Sequence, residues 1–224
     1  MRFSGVVKDY RGLRPLRLLD LTLARGERVV ISGIDVIGAE VLTNLINGAT
    51  LPDHGEIIVG GQPSHAVASE VEWLESLDRF GVVTARAVLL DGMTVRQNVA
   101  LPLTIEIDPV ADEMLPRVDA LAAEAGIDSA WLTRPLHEAP VPVRVRIHLA
   151  RALAPAPQLL ILEHPTAALA ATDRAAFSDD IRRAAAGRGL TMLACSQDRD
   201  FARRVATRYV QLHPGTGALL PIAL

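Results

Sequence analysis

The 224-residue sequence predicts an α/β protein with a parallel-sheet core and an added antiparallel β layer. Three observations carry that expectation. Short, wholly apolar segments such as Leu159–Glu163 and residues 191–196 alternate with helical stretches, the pattern of strands buried on both faces. The N-terminal third is richer in strands and turns than in helices. Half of the residues are apolar and 22% are charged, enough for a large core and too apolar for global disorder.

Taken in order, residues 2–7 and 16–23 are expected as strands, the second alternating Leu16 and Leu18 with polar neighbours. Gly26-Glu27 makes a turn before a β-branched strand at Arg28–Ser32. A helix is expected over 39–47, with Gly48 placed to end it in the left-handed conformation. Residues 56–59 form a strand stopped by Gly60-Gly61. Residues 110–125 are amphipathic, with Met114, Leu115, Val118, Leu121 and Ala122 on one face and Gly126 at the end. A basic helix over 144–154 closes at Pro155. Then follow the Leu159–Glu163 strand, a helix over 172–186, a strand over 191–196, a helix over 198–205 and a strand over 209–212. Pro214-Gly215-Thr216-Gly217 is expected as a hairpin turn.

Several function classes are excluded at this level. A net charge of −3 and a pI near 6.1 give no sign of a basic face for nucleic acid, although they leave room for a local basic patch. One cysteine, Cys195, cannot form an internal disulfide; its apolar surroundings suggest a buried thiol in a reducing compartment. The histidines lack metal-ligand spacing, so no metal site is expected. No run reaches the ~18–20 apolar residues of a membrane span. A cytoplasmic location is expected, with membrane contact only through a partner.

The order of segments then resembles a known family. "LLDLTLARGERVVISG", "TNLINGATLPDHGEIIVGGQ", "RFGVVTARAVLLDGMTVRQNVALPL", "RVRIHLARALAPAPQLLILEHPTAAL" and "GLTMLACSQDRDFA" fall in the order and spacing of ABC (ATP-binding cassette) ATPases. The resemblance covers nearly the whole chain. Its flavour is similar to the lipoprotein-release, macrolide-efflux and lipid-trafficking group. It implies a P-loop NTPase (RecA-like) core within one domain spanning 1–224, with a helical subdomain near 86–155. It also implies an ATP site with Tyr10 at the adenine-stacking position.

The residues at the chemically active positions depart from that family. A phosphate loop needs glycines whose N–H groups face phosphate, a Lys for its charge and a Ser or Thr for magnesium. Gly33 and Gly38 remain, but Ala39 stands at the Lys position, Glu40 at the hydroxyl position and Val36 at the inner glycine. Asp35 and Glu40 add negative charge. Glu40, expected in the first helical turn, is a candidate internal substitute for phosphate. The magnesium aspartate and catalytic glutamate positions hold Glu163 and His164, the Q-loop glutamine position Ala85, followed by Arg86, and the switch histidine position Gln197. The signature segment is Ala139-Pro140-Val141-Pro142-Val143, without a hydroxyl and with two residues lacking N–H groups. It is expected as a rigid extended lead-in to the basic helix.

Losing the cation, the magnesium ligand, the loop flexibility and the cross-dimer donors together leaves no route to hydrolysis. The expectation is a catalytically degenerate, non-catalytic subunit of a bacterial membrane transport complex, with neither ATP nor magnesium required. Its expected partners are a membrane permease and a second nucleotide-binding domain, in a homodimer or a heterodimer with an active ATPase. Val88, Leu89, Leu90, Met93 and Val95 are candidates for permease docking. The alternatives are a weakly active ATPase using Glu163 and His164, and a soluble scaffold without a membrane partner. Arg144, Arg146 and Arg151 are expected on a solvated helix face, with Arg151 paired to an acid near the core.

Overall fold

A computed structural model describes residues 1–64 and 69–224. In chain order the elements are β1 (Arg2–Lys8), β2 (Leu16–Thr22), β3 (Arg28–Ser32), α1 (Val36–Ile46), β4 (His54–Val59), β5 (Gln62–Pro63), α2 (Glu70–Ser76), β6 (Phe80–Val83) and α3 (Val95–Ala100). They continue with α4 (Leu115–Glu124), α5 (Val141–Leu153), β7 (Leu159–Glu163), α6 (Ala171–Arg188), β8 (Thr191–Cys195), α7 (Arg199–Val205), β9 (Arg208–Leu212) and β10 (Leu219–Ile222).

The strands form two sheets. A six-stranded sheet runs β10-β9-β3-β8-β7-β6, parallel except for the β9–β10 hairpin. A four-stranded antiparallel sheet runs β2-β1-β4-β5. The α/β class with an antiparallel layer therefore holds. Burial explains why β7 lacks polar alternation: all five of its residues are buried. Side chains alternate across a strand, so both sheet faces need cover. Val30, Leu160, Leu162, Met192 and Ala194 enter one core cluster with residues of α3 to α7. Val29, Ile31, Leu159, Ile161, Leu193 and Cys195 enter the other, with α1 and the antiparallel sheet. Cys195 is buried, as expected, and burial first, then the Glu163 charge, pushes its thiol up to about 12.

Several boundaries move for identifiable reasons. Helix α1 begins at Val36, three residues before the expected start, because Asp35 caps it: its side chain accepts from the Gly38 N–H. Gly48 does take the left-handed conformation, at φ +76°. Helix α5 begins at Val141 rather than Arg144, with Pro140 as N-cap and Pro142 in the first turn. Proline is tolerated there because first-turn N–H groups have no intrahelical acceptor. The signature segment is thus helix start, not an extended lead-in. Strand β6 and helices α2 and α3 were not expected; α2 buries none of its residues, so it carries no amphipathic signal.

The arginines of α5 are not on a solvated face. Arg144 pairs with Asp91 at 3.2 Å and Arg146 with Asp180 at 2.6 Å. Among the described residues Arg151 pairs with no acid. It donates to the Asn98 carbonyl (2.7 Å), the Asn98 side-chain oxygen (2.7 Å) and the Val88 carbonyl (2.6 Å). Asn98 is itself fully buried and holds Leu90 through both its amide ends, accepting from the N–H at 2.8 Å and donating to the carbonyl at 3.0 Å. One guanidinium therefore fixes α3 and the 88–90 loop to α5. Replacing Arg151 with Met strands buried acceptors, so urea unfolding is expected to lose about 2–3 kcal/mol. Arg203→Met, which breaks an exposed i,i+3 pair, should cost under about 0.5 kcal/mol in the same assay.

Candidate functional site

Four of the parallel strands end on the same edge of the large sheet, where ligands of open α/β sheets bind. β3 runs into Gly33, β6 into residues 84–86, β7 into Glu163-His164 and β8 into Ser196-Gln197. The sequence segments singled out for chemistry are thus brought together by topology.

The loop after β3 is already folded into a helix start. Gly33, at φ +85°, is the only residue from 33 to 38 with a positive φ. It cannot be replaced cheaply, since a Cβ there would lie 2.6 Å from the Leu212 carbonyl oxygen. Val36 is helical, so the run of free N–H groups that would cradle a phosphate does not form. The Gly38 N–H donates to Asp35 Oδ1 at 2.6 Å, and the Ala39 N–H to the Asp35 carbonyl at 2.9 Å. The helix N-terminus thus receives its negative charge from Asp35. Glu40 does not do this, contrary to expectation: it lies beyond the first turn, which contains no acidic residue.

Glu40 instead reaches sideways to Arg86. Arg86 Nη1 lies 3.1 Å from Glu40 Oε1, and Nη2 lies 2.7 Å from Glu163 Oε1. Two further contacts, 3.0 Å and 3.2 Å to Glu163 Oε2, make the second pair bidentate. Burial alone would raise the Glu163 carboxyl, but hydrogen bonds from Arg86, Thr43 and Thr84 outweigh it and hold Glu163 below the usual carboxylate range. The two carboxylates at the family's magnesium-ligand positions therefore share one guanidinium. Ala85, at the Q-loop position, is exposed and contributes no polar group.

Gln197 is also engaged at both ends. Its Oε1 accepts from the Gly33 N–H at 3.3 Å, and its Nε2 donates to the Ile34 carbonyl at 3.1 Å. The switch position therefore latches the loop to β8. His164 sits at φ +47°, with its N–H donating to the Cys195 carbonyl at 2.9 Å. Its Nε2 is buried without a hydrogen-bond partner among the described residues. Tyr10 is half-buried beside Gly12, close enough that a Cβ on Gly12 would lie 2.5 Å from the ring. Ala39 is 1% exposed, in core contact.

A magnesium-bound triphosphate does not fit these residues. The inner N–H groups carry Asp35, and the metal-ligand positions carry Arg86. Sequence reasoning singled out Asp35, Glu40, Glu163 and Gln197 but missed Arg86 as the shared partner of Glu40 and Glu163, along with Thr43 and Thr84. The available signal was charge: two new acids at the metal positions call for a new cation nearby.

The docking set divides. Val88 and Leu90 are exposed, whereas Leu89 and Met93 pack against the core and Val95 is fully buried. Val95 is therefore a core residue, because it opens α3 beneath Thr94, whose capping box with Gln97 turns the chain inward. Among the described residues no helix is long and apolar enough to cross a membrane.

Fold and site together define a cassette-type P-loop NTPase domain. The chain belongs to the ABC transporter family, whose model matches residues 16–167. It is 33% identical over 222 residues to the methionine import ATP-binding protein MetN of Caulobacter vibrioides, covering 95% of this chain and 64% of that protein. It is 30% identical to the taurine import ATP-binding protein TauB of Escherichia coli O157:H7, covering 98% and 82% of the two chains. The chain spans about three-fifths of the length of the first curated relatives it matches. The dimeric structure of a bacterial ABC transporter cassette superposes with a TM-score of 0.78 at 22% identity, covering 96% of this chain and 95% of that one. The cbiO1 structure from Clostridium perfringens superposes at 0.79, also at 22% identity, covering 99% and 86%. These two likenesses speak to the fold.

The Glu163 contact has a definite pH signature. Its folded pKa is depressed, so its stabilisation is present above the unfolded glutamate value near ~4.3 and is lost as pH falls through the folded value. Glu163→Gln should be less stable than wild type at pH 7, by about 1–2 kcal/mol, and the gap should shrink as pH falls below the unfolded glutamate value. Urea unfolding across pH 3–7 checks this.

Proposed function

We propose that this chain is a non-hydrolysing ABC nucleotide-binding-domain subunit that serves a membrane transport complex structurally or as a regulator. The observation that carries the reading is the Arg86 guanidinium set between Glu40 and Glu163. Hydrolysis requires a divalent cation held by the loop hydroxyl and the carboxylate ending the neighbouring strand. Here both positions are acids that share one internal cation, Arg86. Asp35 on the inner N–H groups and Gln197 on the loop backbone support the same reading. A weakly active ATPase using Glu163 and His164 is disfavoured, since Glu163 is committed to Arg86.

A permease partner is supported by relatives named as importers of methionine and taurine. We read residues 86–155 as a helical subdomain presenting Val88 and Leu90 to that partner, at the cytoplasmic face of the membrane. Each is 36% exposed or more, although apolar. A second cassette, in a homodimer or with an active ATPase, completes the assembly.

The tagged chain, purified from native membranes in mild detergent, is expected to bring an identifiable permease with it. Val88→Asp combined with Leu90→Asp should reduce that recovery about tenfold without lowering the chain's own melting temperature. Magnesium-dependent phosphate release by the pure chain, abolished by Glu163→Gln, would overturn the non-hydrolysing reading. Recovery without any permease would overturn the transport reading.

A further inference from the structure

A cavity lies at the other end of the large sheet, where the parallel strands begin. It has a volume of about 410 Å³, within the range of small-ligand sites. Leu159 and Thr191, the first residues of β7 and β8, line it together with Arg25, Gln158 and Arg188. Glu163 ends the strand that Leu159 opens, so about 13 Å of β7 separates this cavity from the Arg86 site.

Most arginines at this edge are accounted for by carbonyls that helices leave unpaired at their C-termini. Arg28 Nε donates to the Val205 carbonyl at 2.7 Å, and Arg117 Nη2 to the Ala154 carbonyl at 3.2 Å. Arg188 Nη1 donates to the Leu153 carbonyl at 2.7 Å, while its Nε donates to Glu124 Oε1 at 2.6 Å. Arg25 serves no helix end. It is exposed, and among the described residues its side chain has no hydrogen-bond or ion-pair partner. The Gln158 carboxamide has none either. Thr191 Oγ accepts from the Gly26 N–H at 3.0 Å, which leaves its hydroxyl hydrogen to donate. Among the described residues no acid lines the cavity.

We propose that this cavity binds a phosphate dianion, free or as a small monoester. Arg25 supplies the charge for which the chain offers no counterpart. Arg188 is fixed in place by Glu124 and Leu153 and keeps N–H groups to spare. Gln158 and Thr191 add an uncharged N–H and O–H. Donors drawn from separate segments suit a tetrahedral oxyanion, which accepts from several directions, whereas a single guanidinium fork already satisfies a planar carboxylate. The inference does not depend on the non-hydrolysing reading, since it uses none of the residues around Arg86.

The test is calorimetric titration of the full chain with inorganic phosphate and with glycerol 3-phosphate, at about 0.15 M salt to screen loose surface binding. At least one probe is expected to bind with a Kd of about 1 mM or tighter. A monoester that binds more tightly than phosphate identifies an ester ligand, and the reverse order identifies the free ion; either order supports the site. Arg25→Ala, at an exposed turn position, should weaken binding about tenfold or more, and Gln158→Ala about threefold. Arg203→Ala, an exposed arginine elsewhere, should leave it unchanged. No binding of either probe up to about 10 mM would overturn the proposal. So would binding that Arg25→Ala leaves within about twofold, which would place the anion elsewhere, or an equal loss in Arg203→Ala, which would mark it as unspecific.

Discussion

A guanidinium placed between two carboxylates is the interaction on which the rest of this site turns. Arg86 is 2.7 Å from Glu163 and 3.1 Å from Glu40, and it joins the ends of β6 and β7 to the second turn of α1. Glu163 is buried, with its side chain 6% exposed. A buried carboxylate is tolerated only when paired and hydrogen-bonded, so Arg86 is what allows the acid to stand at the end of a fully buried strand. Removing either partner leaves an uncompensated charge in the core of the strand edge.

The same logic extends to the neighbouring loop. A helix N-terminus at a sheet edge presents N–H groups that need an acceptor. Asp35 supplies it from within, and Gln197 then secures the preceding turn to β8. Each interaction is local and of ordinary strength. On the reading proposed above, in combination they put an internal anion where the family receives phosphate and an internal cation where it receives magnesium. On the proposed reading, the fold keeps its strand-edge geometry without a ligand to organise it.

Much of the fold was legible in the sequence because its signals are one-dimensional. The apolar run at β7, the β-branched run at β3 and the glycines at 48 and 126 mark elements through burial and backbone conformation, and the ordered motif segments mark the family. The boundaries of α1 and α5 were less legible. Asp35 and Pro140 act as caps, and a cap is decided by which N–H lies in reach rather than by periodicity. The roles of Arg86, Arg151 and Gln197 were not legible, because each depends on contacts with residues more than fifty positions away. Val95 illustrates the opposite error: its apolar character was evident, but only packing reveals that it faces the core rather than a partner.

The most direct measurement of the central claim is thermal unfolding of the chain with and without about 1 mM MgATP. Any ligand that binds only the folded state raises its melting temperature by mass action. If Asp35 and Arg86 stand in for phosphate and metal, the melting temperature stays within about 1 °C. A rise of several degrees that disappears when magnesium is removed would contradict the account.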